Sequence, residues 1–134
     1  MPQGQLHHIE IYVSNLSSSI RFWSWFLCEQ LGYQEYQRWD QGVSYKANGT
    51  YIVFVQTEAK YLTPSYHRCR SGLNHLAFYA NSKEQVDKIT IAVKERGMTI
   101  LYQDRHPYAG GSSYALFFED PDRIKIELVC ENIK

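Results

Sequence analysis

Leu6-His7-His8-Ile9-Glu10-Ile11-Tyr12 returns sixty-seven residues later as Leu73-Asn74-His75-Leu76-Ala77-Phe78-Tyr79. Each run precedes a serine-led helical pattern that closes on a glycine, Ser17 to Gly32 and Ser82 to Gly97. A repeat of about half a chain means two copies of one supersecondary unit packed together. Paired copies bring equivalent side chains towards a pseudo-twofold axis, so His8 and His75 are expected to serve one site.

Within the first run Ile9, Ile11 and Val13 share one face and His8, Glu10 and Tyr12 the other, as a half-buried strand requires. Asn15 to Ser19 offers helix-capping side chains. Ile20, Trp23, Leu27 and Leu31 recur at helical spacing up to the stop at Gly32. Strands are expected at 33–39, 43–47 and 51–56, with Asn48-Gly49 a strong hairpin signal. Residues 58–71 lack periodicity and read as a linker. The second copy repeats the scheme: strand 73–80, a Ser82-x-x-Gln85 capping box, a helix with Val86, Ile89 and Val93 as its stripe, then strands at 99–103, 114–118 and 124–129. The stretch 104–113 is long for a hairpin and carries His106 and Tyr108 beside a glycine pair, a composition suited to a binding flap or a solvent loop.

The expected organisation is one domain over 1–134, with module 1 at about 5–57, the linker at about 58–71 and module 2 at about 72–131. Each module reads strand, helix, strand, strand, strand. The class is α+β: two βαβββ modules forming a cupped, partly open mixed β-barrel.

Composition narrows the function. Of 134 residues 44% are apolar and 15% aromatic, enough for a core and unlike a disordered chain. Lys+Arg and Asp+Glu number 14 each, a balance ill suited to nucleic acid. No apolar run is long enough to span a bilayer. The opening Met1-Pro2-Gln3-Gly4 lacks a basic segment followed by an apolar one, and three widely spaced cysteines fit neither a disulfide framework nor a metal knuckle. A cytoplasmic protein with reduced thiols is expected.

On the face opposite the helix the first strand of each copy offers His8, Glu10 and Tyr12, then His75, Ala77 and Tyr79. In the last strand Ile124, Ile126 and Leu128 serve the helix side, which turns Lys125, Glu127 and Val129 to the other. A half-buried carboxylate is costly unless paired or metal-bound. Two imidazoles and one carboxylate with open positions form a facial triad for a divalent ion. A hydrogen-bonded histidine without an ion is the alternative reading of each one singly.

Three segments then resemble the vicinal oxygen chelate superfamily: His8-Ile9-x-Ile11-x-Val13 with Asn15-Leu16-x-x-Ser19-x-x-Phe22-Trp23, Gly72-Leu73-Asn74-His75-Leu76-Ala77-Phe78, and Asp120-Pro121-Asp122-Arg123-Ile124-Lys125-Ile126-Glu127-Leu128. That group includes glyoxalase I, extradiol dioxygenases and the fosfomycin and bleomycin resistance proteins. The resemblance implies that His8, His75 and Glu127 are metal ligands. It implies Fe(II), Mn(II), Ni(II) or Zn(II) as cofactor, and a small oxygen-rich substrate chelated through two oxygens. Glu10, Tyr12, Tyr79, His106 and Tyr108 are candidates for proton transfer or substrate hydrogen bonds. A homodimer is implied, with His8 from one chain and His75 and Glu127 from the other. The alternative from the same family is a bleomycin-resistance-type protein that sequesters a small molecule without catalysis.

Two departures stand out. Aligning Tyr51-Ile52-Val53-Phe54-Val55 with Ile124-Lys125-Ile126-Glu127-Leu128 puts Phe54 where glyoxalase-type members carry a fourth ligand, with Gln56 a weaker substitute. Arg123 replaces the family's usual glycine, either to meet an anionic substrate or simply at the surface.

Overall fold

Alternation along the first strand translates directly into burial. In β1, His8–Val13, His8, Glu10 and Tyr12 are exposed, Ile9 and Ile11 half-buried, and Val13 buried. The computed structural model describes residues 3–103, 108–110 and 113–131. The chain divides into two compact units, Met1–Ser65 and Tyr66–Lys134.

In the first unit β1 leads to α1, Leu16–Trp23, which continues as a π-helical segment over Ser24–Gln30. Then come β2 Gln34–Trp39, β3 Gly42–Ala47 and β4 Thr50–Gln56. The sheet order is β1-β4-β3-β2, with β1 parallel to β4 and the other pairs antiparallel. Asn15 Oδ1 caps α1 by accepting from the Ser18 amide at 3.1 Å. Gly32 terminates the helical run at φ +80°, a left-handed conformation that costs glycine little. Asn48 and Gly49 take φ +53° and +84° in the β3–β4 turn, as a type I′ hairpin demands. Under the helix Trp23 stacks on Phe54 with centroids 4.6 Å apart, and Phe26, Leu27, Val43 and Tyr45 are fully buried. Burying each such side chain contributes roughly 1.5–3 kcal/mol, before the loss of chain entropy.

The second unit repeats the plan with β5 His75–Tyr79, α2 Lys83–Glu95, β6 Tyr108–Gly110, β7 Ser113–Glu119 and β8 Lys125–Glu131. Its order is β5-β8-β7-β6, with β5 parallel to β8. Ser82 Oγ caps α2 by accepting from the Gln85 amide at 3.0 Å. The return bond of the capping box falls one residue early: Gln85 Oε1 accepts from the Asn81 amide at 2.7 Å. Val86, Ile89 and Val93 of α2 and Leu116, Phe118, Ile126 and Leu128 of the sheet are buried as this unit's core.

The α+β class and the two βαβββ modules are therefore as expected. One strand is not. Residues 99–103 form only an isolated bridge, Ile100 to Phe118, and the strand that completes the module is β6, inside the stretch expected to be a loop. Tyr102 at φ +56° breaks the extended run, because a left-handed residue cannot continue a strand.

Candidate metal and substrate site

The second unit brings two of the expected ligands together. His75 Nε2 lies 3.1 Å from Glu127 Oε1. The other ring nitrogen, Nδ1, faces Asn74 Oδ1 at 2.7 Å. When Nδ1–H donates to that amide oxygen, Nε2 presents a lone pair to a carboxylate. In that tautomer the two facing acceptors are bridged by a proton or a metal ion; in the other, Nε2–H donates to the Glu127 carboxylate. The spacing also suits an ion: donors about 2.1 Å from a common metal and at right angles to one another lie about 3 Å apart. The donor pair therefore fits a divalent cation. Among the described residues no three His, Cys, Asp or Glu side chains gather around one point, so this pair supplies two donors by itself.

His8 stands on β1 of the first unit, exposed. Its ring stacks on Tyr51 with centroids 4.7 Å apart and planes 2° apart. Its Nδ1 lies 2.8 Å from His7 Nδ1, which directs Nε2 away from that contact. Glu10 and Tyr12 share the face of His8, and Tyr79 shares the face of His75. Tyr12 and Tyr79 are 65% and 77% exposed. Four residues of strand set each about 13 Å from its histidine. Tyr108 opens β6 opposite Ala115, two strands from β8. His106 lies outside the described residues.

The position equivalent to a fourth ligand shifts by one residue. His8 pairs with Tyr51 and His75 with Lys125, so the counterpart of Glu127 is Val53, not Phe54. Phe54 turns to the helix and packs on Trp23. Valine is as incapable of coordination as phenylalanine. Gln56 is committed elsewhere: its Oε1 accepts from the Leu16 amide at 2.8 Å and its Nε2 donates to the Ser14 carbonyl at 2.9 Å. It caps the start of α1.

Arg123 takes φ +66°, the conformation its family glycine would adopt freely. Asp120 holds the turn, its Oδ1 accepting from the amides of Asp122 and Ile124 at 2.8 Å each. The Arg123 side chain is 71% exposed and 3.5 Å from Glu119, a carboxylate already bound by Arg68 at 2.5 Å. This cluster ties Arg68 to the turn before β8.

Four contributors escaped sequence reasoning: Asn74, Tyr51, Tyr102 and Phe117. Only Asn74, directly before its histidine, carried a signal, since an amide there can orient the ring.

Residues 5–128 match the family model for the Glyoxalase/Bleomycin resistance protein/Dioxygenase superfamily. The chain is 58% identical over 126 residues to the uncharacterized protein YqjT of Bacillus subtilis strain 168, covering 93% of this chain and 98% of that one. A crystal structure from Bacillus halodurans, provisionally described as a glyoxalase, superposes with TM-score 0.92 at 59% identity over 96% of both chains. Glutathione transferase FosA of Serratia marcescens is 28% identical over 123 residues, 92% of this chain and 78% of that one.

Proposed function

This chain belongs to the Glyoxalase/Bleomycin resistance protein/Dioxygenase superfamily, and on that premise we propose that it is a metal-dependent enzyme acting on a small oxygen-rich molecule. The observation that carries this reading is the His75–Glu127 pair, a ring nitrogen and a carboxylate oxygen 3.1 Å apart with Asn74 fixing the ring. His75 and Glu127 would hold the ion, with His8 of the partner subunit as third ligand in a homodimer. An ion held there supplies Lewis acidity, binding two neighbouring substrate oxygens and stabilising charge that develops on them.

With three protein ligands, open positions remain for the substrate. Val53 in the fourth-ligand position disfavours a glyoxalase I reaction. The likeness to a glutathione transferase supports thiol transfer as the reaction class to assay first, ahead of dioxygenase or lyase chemistry. Glu10, two residues from His8 on the same face, is assigned as a proton acceptor. Tyr12, Tyr79, His106 and Tyr108 are assigned to substrate hydrogen bonds. A cytoplasmic location accords with the three free cysteines.

Elemental analysis of protein purified without added metal, with sedimentation at micromolar concentration, tests this reading. Stoichiometric metal in a dimer, abolished by His75→Ala, is the expected result. Metal-free protein that still binds an aromatic drug would favour sequestration instead.

A further inference from the structure

In both units the residue just before the candidate ligand histidine meets that histidine's Nδ1. Asn74 Oδ1 lies 2.7 Å from His75 Nδ1, and His7 Nδ1 lies 2.8 Å from His8 Nδ1. Neighbours along a regular strand point to opposite faces. His7 stands just ahead of β1, outside that alternation, and its ring turns to His8. The chain there is anchored to β4: the Thr50 hydroxyl donates to the Leu6 carbonyl at 3.0 Å and the Tyr51 amide to the His7 carbonyl at 3.3 Å. The Tyr51 ring contacts both imidazoles, stacked on His8 at 4.7 Å and edge-on to His7 at 5.5 Å.

Two imidazole nitrogens at 2.8 Å share one proton. The nitrogen that His8 has left for an ion is then Nε2, and the direction of the bond decides whether it can serve. If His7 donates, a neutral His8 carries its proton on Nε2 and offers no lone pair. If His8 Nδ1–H donates, Nε2 is a free electron-pair donor. Asn74 makes this choice for His75, because an amide oxygen facing Nδ1 only accepts.

Resting on the metal-site reading above, we propose that His7 is the positioning residue of His8: its Nδ1 accepts the His8 Nδ1–H and, with Tyr51 holding both rings, leaves the His8 Nε2 lone pair for the ion. His7 thus does in the first unit what Asn74 does in the second. Tautomer and ring orientation are what such a partner sets for a metal-binding imidazole.

The test uses the full chain with Zn(II) as probe, a diamagnetic ion that leaves imidazole nitrogen resonances readable. Metal-free wild type at about pH 8.5, well above the ordinary imidazole range, should show His8 in its Nδ1–H form by nitrogen NMR. His7→Phe keeps a ring against Tyr51 but cannot accept a proton. It should return His8 to the Nε2–H form that free histidine favours and weaken Zn(II) binding about tenfold or more by calorimetry. His7→Asn supplies the acceptor that the second unit uses, and should keep both the Nδ1–H form and an affinity within about threefold of wild type. His7 is exposed, so neither change removes core packing. His8 in its Nε2–H form in wild type overturns the proposal. So does a His8 form or a Zn(II) affinity unchanged in His7→Phe, or a loss as large in His7→Asn. Should His7→Phe fail to fold by circular dichroism, the wild-type spectrum and His7→Asn decide by the same criteria. Wild type that binds no Zn(II), or binds it undiminished in His75→Ala, would instead sink the metal reading, while the metal-free spectra would still judge His7.

Discussion

His75 and Glu127 meet diagonally rather than directly across the β5–β8 ladder. The backbone partner of Glu127 is Ala77 and that of His75 is Lys125, yet the imidazole and carboxylate come to 3.1 Å. Diagonal neighbours on a sheet are within reach of long side chains. Glu127→Gln exploits this geometry. The amide can donate to the His75 lone pair, so the metal-free protein should keep its stability to within about 0.5 kcal/mol. It should lose the rise in melting temperature that Mn(II) gives wild type, because a bound ion stabilises only the form that holds it. Thermal scans with and without Mn(II) measure both; a retained metal-induced shift would remove Glu127 from the ligand set.

Ala77 pairs with Glu127 on the face that carries His75, so a larger side chain there would crowd the diagonal contact. It is exposed, so a larger side chain creates no core clash. Ala77→Leu should fold with stability changed by no more than about 0.5 kcal/mol and bind Mn(II) at least tenfold more weakly, through separation of His75 from Glu127. Calorimetric metal titration beside urea unfolding distinguishes this from general damage: a variant binding Mn(II) like wild type would show that the diagonal is not confined by Ala77.

Gln56 provides the opposite control. Its side chain satisfies the Leu16 amide and the Ser14 carbonyl. Truncation in Gln56→Ala unpairs a helix N-terminal donor and should cost about 1 kcal/mol of stability. Mn(II) stoichiometry and affinity should be unchanged. Loss of metal without loss of stability would return Gln56 to the ligands.

Residue type and alternation make some of these positions legible in the sequence and leave others hidden. Alternation in β1 and β5 was plain because one face is wet, and the helix stops at Gly32 and the Asn48-Gly49 turn carry their conformational reason in the residue type. His75 and Glu127 could be paired because a half-buried carboxylate set between Ile126 and Leu128 asks for a partner. The frame of β4 was illegible. Ile52, Val53 and Phe54 are all buried, and an apolar run hides which residue faces which way. The repeat aligned one residue out of register therefore reads as plausibly as the true pairing, and that alignment puts Phe54 and Gln56 on the ligand face. Extended propensity at 99–103 likewise gave no warning that Tyr102 turns left-handed, since that conformation belongs to the tertiary surroundings.

Tyr45 tests the buried side of the first sheet. It is fully buried, and burial pushes its hydroxyl up to about 12. The Ser24 hydroxyl near it donates to the Ile20 carbonyl. An unfolded tyrosine ionises near 10. Between these values the unfolded chain has lost a proton that the folded chain keeps, so stability present below pH 10 should fall as pH rises towards 12. Tyr114 contributes in the same window, because its hydrogen bond to Asp87 raises it to about 12 as well. Tyr45→Phe should therefore flatten the alkaline loss without abolishing it. At neutral pH it should cost no more than about 1 kcal/mol, since the buried hydroxyl has no hydrogen-bond partner of good geometry among the described residues. Urea unfolding at pH 8, 10 and 11.5 reads this directly. A variant whose stability declines as steeply as wild type would place Tyr45 in contact with water, and with it the inner face of β3.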